Sequence, residues 1–163
     1  MEYTEILINI RKIIRSINLE SKSIEREFGI SIPQYLCLNF LRKSETYRAT
    51  ATEIGLHLNL NASTVTGIVS RLEKKGYVAR LLNPEDKRSS FIYLTALGEK
   101  IIKTIPNLLQ DKLTLKLQEL QPEELQQLQN SLALLVKFMG VEDLDASPVL
   151  TPEEHINSKS KPE

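Results

Sequence analysis

Residues 51–98 constrain this chain more than any other stretch. Asn61-Ala62-Ser63-Thr64-Val65-Thr66 opens a helix with a capping residue and a run of hydroxyls. Beyond it, Asn83-Pro84-Glu85-Asp86-Lys87-Arg88 forms a charged turn between two strand-like runs, Tyr77 to Leu82 and Ser89 to Leu94. Val65, Ile68, Val69 and Leu72 recur at steps of three and four, so the helix buries one stripe. Ser63, Thr64, Thr66, Gly67, Ser70 and Arg71 occupy the other side. A small polar helix face followed by a basic hairpin suits double-stranded DNA, because a helix fits the major groove and a hairpin tip reaches a minor groove.

The flanking sequence supplies further helices. Ile6, Ile10, Ile13, Ile14 and Ile17 lie at helical spacing over residues 4 to about 27, with Gly29 as the stop. Ser31-Ile32-Pro33-Gln34 has the form of a capping box and opens a helix to about Lys43; Thr50-Ala51-Thr52-Glu53 repeats it and opens a short helix ending near Leu58. Asn59 takes the turn into the Asn61-capped helix, which ends at Gly76. Thr95 caps a long helix to about Leu120, interrupted or bent near Pro106. Pro122 starts a last helix to about Met139, with Glu123 and Glu124 at its positive end.

Leu108, Leu109, Leu113, Leu115, Leu117, Leu120, Leu125, Leu128, Leu132, Leu134 and Leu135 make the two C-terminal helices too apolar to be covered by one small lobe. Packing against a second copy is the economical solution. The expected fold is therefore mainly α with a small β-wing. Residues 31–98 form a winged helix-turn-helix lobe, residues 1–30 and 99–140 a helical dimerisation region, and residues 141–163 an acidic mobile tail.

The 163 residues carry no net charge, which at first argues against a nucleic-acid partner. The distribution removes the objection: residues 48–98 hold an excess of three positive charges and residues 141–163 an excess of four negative ones. No apolar run is long enough to span a bilayer and the N-terminus is no signal peptide, so a cytoplasmic location without membrane contact is expected. A lone Cys37 excludes an intramolecular disulfide and suits a reducing compartment.

Gly76 to Arg88, continued by Leu94-Thr95-Ala96-Leu97-Gly98, resembles the MarR family of winged-helix regulators, whose pattern is Asp-Pro-x-Asp-x-Arg, a strand, then Leu-Thr-x-x-Gly. Ser63-Thr64-Val65-Thr66 and Leu72-Glu73-Lys74-Lys75-Gly76 match the family's recognition helix, and Pro33-Gln34-Tyr35 its second helix. The similarity runs from about residue 5 to 140. It implies a homodimer on a palindromic operator, each recognition helix in a major groove, with half-sites about one helical turn apart. Three positions depart from the pattern: Gly67 stands where relatives often carry a base-reading side chain, Asn83 replaces the wing Asp, and Asn59 replaces the turn Gly.

Candidate DNA contacts are Ser63, Thr64, Thr66, Ser70, Arg71, Arg80, Lys87 and Arg88. Arg88 is read as reaching a minor groove from the wing tip, the alternative being a solvated turn charge. Lys87 either touches phosphate or is merely exposed. Some of the hydroxyls at the helix start hold phosphate or base edges while others only cap the helix. Arg80 either contacts phosphate or pairs with a nearby carboxylate. Asp86 is read as wing-structuring, bracing a basic neighbour, since a carboxylate facing phosphate would be repelled.

No cofactor and no metal are called for: His57 and His155, the only histidines, lie 98 positions apart, and His57 is read as a surface or phosphate-facing residue. Cys37 sits in an apolar helical run where a thiol is poorly ionised, which disfavours redox sensing. A small anionic effector would draw on Arg11, Arg15, Lys22, Arg42 or Lys43, which are otherwise ordinary solvated charges, and Tyr35 and Phe40 are read as core. No nucleophile elbow or phosphate-cradling glycine loop is present, so an enzyme is not expected. The resemblance implies a transcriptional repressor released by a small-molecule signal. The alternatives are a winged-helix protein-interaction module without operator binding and a cysteine-based redox sensor.

Overall fold

A computed structural model describes residues 2–86 and 88–152. Among them run α1 (Glu2–Phe28), α2 (Ile32–Lys43), β1 (Arg48–Thr50), α3 (Ala51–Leu58), α4 (Ala62–Lys74), β2 (Val78–Leu82), β3 (Ser90–Leu94), α5 (Ala96–Thr104), α6 (Leu109–Gln118) and α7 (Pro122–Met139). The chain divides into two compact units. One holds the residues up to Pro106 together with those from Pro148 onward, and the other is Asn107–Ser147.

In the first unit α2 is the hub, packing against α1, α3, α4, α5, β1 and β3. Its first eight residues, Ile32 to Asn39, are all buried, as is Leu41 beyond them, which is why its sequence shows no clean polar face. Around it Ile30, Leu38, Leu41, Ile54, Val65, Ile68, Leu72 and Ile92 are sealed from solvent. The predicted capping boxes form: Gln34 Oε1 accepts the Ser31 N–H at 3.2 Å, and Glu53 Oε2 accepts the Thr50 N–H at 2.6 Å. Asn59 turns the chain in the left-handed conformation at φ 50°, ψ 48°. An asparagine tolerates this where most residues would not.

The sheet has one strand more than the sequence pattern suggests. β3 lies at its centre, antiparallel to β2 on one side and to β1 on the other, with Ala49 opposite Ile92. Three residues are too few to display alternation, so β1 reads as loop until its partner is known. The long helix expected from Thr95 to Leu120 is interrupted as foreseen. Ile105, before Pro106, is extended at ψ 128°, because the proline ring clashes with a helical predecessor. α5 therefore ends at Thr104 and α6 starts at Leu109.

The turn from β3 into α5 depends on an absent side chain. A Cβ on Gly98 would stand 2.2 Å from the Tyr77 carbonyl oxygen and 2.8 Å from Leu94 Cδ1. The Thr95 hydroxyl donates to Gly76 O at 2.7 Å and accepts the Gly98 N–H at 3.0 Å. Gly98→Ala is expected to cost roughly 1–3 kcal/mol, through overpacking against backbone. A chemical denaturation midpoint equal to that of the unchanged chain would contradict this.

In the second unit α7 starts at Pro122, with Glu124 Oε2 accepting the Gln121 N–H at 3.0 Å, and ends at a left-handed Gly140. Of the expected mobile tail, Val149 is buried within the first unit, and residues 153–163 lie outside the described ones.

Candidate nucleic-acid interface

Asn61 caps α4, its Oδ1 accepting the Thr64 N–H at 2.9 Å and the Ser63 hydroxyl at 2.8 Å. The Thr66 hydroxyl donates back to Ala62 O at 2.8 Å. Both hydroxyls thus spend their hydrogen inside the helix, and what they turn outward is acceptor oxygen. Val65, Ile68, Val69 and Leu72 are buried as the spacing predicts. Ser63 and Thr66 are exposed on the other side, and Thr64, Ser70 and Arg71 are half-buried.

Arg80 stands on β2 and its Nε lies 3.2 Å from Glu73 Oε2 of α4. Of the two partners open to it from the sequence, the structure displays the carboxylate. With about a third or more of each side chain exposed, this pair ties the wing to α4 without contributing much energy. A double-mutant cycle of Arg80→Ala and Glu73→Gln is expected to give a coupling of about 0.2–1 kcal/mol. A coupling several times larger in thermal melts would refute a screened pair.

The wing is built by its own side chains. Asn83 Oδ1 accepts the Glu85 N–H at 3.0 Å, and Asn83 Nδ2 donates to Ser89 Oγ at 3.1 Å. Asp86 Oδ1 accepts the Arg88 N–H at 3.0 Å, and Ser89 N donates to Asp86 O at 3.0 Å. These are Asx-type turns, which explains why Asn can stand in for Asp at position 83: the acceptor oxygen is kept and an extra donor is gained. The contact Asp86 makes among the described residues is therefore to backbone, not to a basic side chain. The Arg88 side chain is exposed at the tip, and Lys87 lies outside the described residues.

One clamp escaped the sequence reading altogether. Arg48 of β1 donates from Nη1 to Tyr93 Oη at 2.7 Å, and its guanidinium carbon stands 4.2 Å above the Phe91 ring. Phe91 and Tyr93 themselves meet edge to face at 6.4 Å. The clamp fastens β1 to the wing root through a cation held over aromatic faces. Only knowledge of the β1–β3 pairing could have revealed it.

The sequence profile of the MarR family matches residues 28–89, which hold α2, β1, α3, α4, β2 and the wing turn. The HTH-type transcriptional regulator YfiV of Bacillus subtilis (strain 168) is 31% identical, over 85% of this chain and 85% of its own length. The chain belongs to the MarR family. A second Bacillus subtilis relative, an organic hydroperoxide resistance transcriptional regulator, is 32% identical over 77% of this chain and 82% of its own. Among solved structures, Sco3205, a MarR-family transcriptional regulator from Streptomyces coelicolor in complex with DNA, shares the fold. Its TM-score is 0.59 at 23% identity, covering 88% of each chain.

In this MarR-family chain the remaining candidates behave as follows. Tyr35 is buried, and Phe40 is half-buried with exposed His57 stacked on it at 4.2 Å. Among the described residues no cluster of His, Cys, Asp and Glu could hold a metal, and no helix is long and apolar enough to cross a membrane. Cys37 is fully buried in α2, and loss of solvation pushes its thiol from 9.0 up to about 12. The unfolded chain ionises this thiol first as pH rises, so its contribution to stability is intact below 9.0 and lost as pH climbs toward about 12. Native protein is accordingly expected to resist a thiol-reactive dye at neutral pH and to react at once in denaturant. Prompt labelling of the native state would contradict the burial.

Proposed function

We propose that this regulator binds a palindromic DNA operator as a homodimer, acts as a repressor, and is released by a small-molecule signal. One observation carries the reading: a low, hydroxyl-rich face of α4 is fixed by the Glu73–Arg80 pair beside a wing whose tip exposes Arg88. Ser63, Thr64, Thr66, Ser70 and Arg71 face the major groove, and Arg88 the minor groove. Arg80 and Asp86 act as bracing residues, and Lys87 adds charge at the tip. That Sco3205 is described in complex with DNA supports this use of the shared fold.

Dimerisation is supported by what each unit leaves uncovered. α1 exposes Ile6, Leu7, Ile13 and Ile14, and α7 exposes Leu132, Leu134 and Phe138, far more apolar surface than isolated helices keep in water. On α1 Arg11, Arg15 and Lys22 stand beside Asn18, and these cations are what an anionic effector would draw on. Although one relative is named for organic hydroperoxide resistance, a cysteine-based sensor is disfavoured here, because the only thiol is Cys37 and it is sealed in the core.

The test is anisotropy binding to the DNA upstream of the protein's own gene and to a shuffled duplex, across a salt series. Preference for the upstream duplex, steepening as salt falls, and a loss of roughly tenfold in affinity for Arg88→Ala are expected. Equal weak binding to both duplexes, indifferent to Arg88, would refute operator recognition. Sedimentation at micromolar concentration is expected to give a dimer, and a monomer would refute that part.

A further inference from the structure

Opposite the buried stripe of α4, Ser63, Gly67, Ser70 and Lys74 form the centre line of the outward face. The middle of that line, position 67, is where a long side chain would meet a groove floor most directly, and it holds a glycine. The place is nevertheless filled. A Cβ on Gly67 would lie 3.7 Å from Arg71 Nη2, 3.8 Å from its Nη1 and 4.0 Å from its Cζ. All three atoms belong to the guanidinium, so the head of Arg71 lies over position 67, at ordinary contact distance from where a Cβ would stand.

The geometry has a physical cause. Helical side chains lean toward the N-terminus and cover the residue four positions earlier, so Arg71 is directed over position 67. A longer side chain there would compete for the same space. The ion pairs among the described residues do not include Arg71, so its guanidinium charge is not engaged by a carboxylate there. A planar fork carried on the centre of a helix face matches the O6 and N7 acceptors of guanine in a major groove.

Resting on the operator-binding reading above, we infer that Gly67 and Arg71 form one specificity unit: the glycine makes room, and the guanidinium reads a guanine at the base step facing residue 67. A Cβ alone would only touch the guanidinium at ordinary contact distance, so what position 67 must leave out is a side chain longer than alanine's. The departure from the family pattern at position 67 therefore relocates a base contact by one turn.

The test selects duplexes from a randomised pool with the full-length chain, unchanged and as Arg71→Ala and Gly67→Gln. Anisotropy follows on the selected duplex and on one with a single G·C pair per half-site changed to A·T. The unchanged protein is expected to select a guanine at symmetric positions and to lose roughly tenfold or more in affinity when it is replaced. Arg71→Ala should bind the two duplexes equally. Gly67→Gln should lose the same discrimination with Arg71 intact, because its side chain occupies the guanidinium's resting place. Thermal melts at or above that of the unchanged chain would exclude misfolding as the cause for these surface positions. Retained guanine preference in Arg71→Ala overturns the inference. A uniform loss across all sequences, with the salt slope reduced by about 1, also overturns it and makes Arg71 a phosphate contact. Undiminished discrimination in Gly67→Gln overturns the coupling of the two residues. An unchanged chain that selects no sequence at all overturns operator binding itself, a result separate from the others.

Discussion

The Thr95 hydroxyl holds together the parts of this molecule that a large partner would have to touch at once. It donates to the carbonyl of Gly76 at the end of α4 and accepts the N–H of Gly98 in α5, while the Thr95 backbone N–H donates to Tyr77 O where the wing begins. Three elements meet at one residue, and Gly98 lacks a Cβ because the Tyr77 carbonyl already fills that space. A recognition surface made of a helix face and a hairpin tip works only when their separation is fixed beforehand. Otherwise each encounter must order them at a cost in affinity. The family's Leu-Thr-x-x-Gly string is thus a joint, and its chemistry is local.

Around that joint charge is distributed so that zero net charge is no obstacle to binding an anion. Glu73 of α4 is held by Arg80 and turned into a strut between helix and wing. Asp86 is turned inward onto the Arg88 backbone. Two of the negative groups in the most basic stretch are therefore engaged in architecture, while Arg71 and Arg88 keep their guanidinium groups at the surface. The hydroxyls of Ser63 and Thr66, whose hydrogens are used within the helix and its cap, add acceptor atoms and little bulk.

Much of this was legible from residues alone, for identifiable reasons. Capping is a local event, so Ser31, Thr50, Asn61 and Thr95 announced their helices within three residues. The stripe of Val65, Ile68, Val69 and Leu72 shows at any window because a helix repeats over several turns. β1 stayed hidden because three residues carry no period and its pairing with β3 crosses about forty positions of sequence. The Arg48 clamp on Phe91 and Tyr93 was hidden for the same reason. Gly67 looked like a lost contact from the sequence, since nothing local says that a neighbour one turn later lies over it.

The sequence by itself determined which segments become helices, about where they start and stop, and which stripe α4 buries, because those outcomes follow from contacts within a few residues of chain. It also determined the turn chemistry of the wing, since Asn83 and Asp86 bond to backbone two residues away. Only the tertiary structure decided what those side chains face: that α2 is buried from Ile32 to Asn39, that Arg80 meets Glu73, and that the Arg71 guanidinium lies over position 67. Each of these depends on the direction in which packed elements present their side chains, and that direction is set by the fit of whole elements against one another.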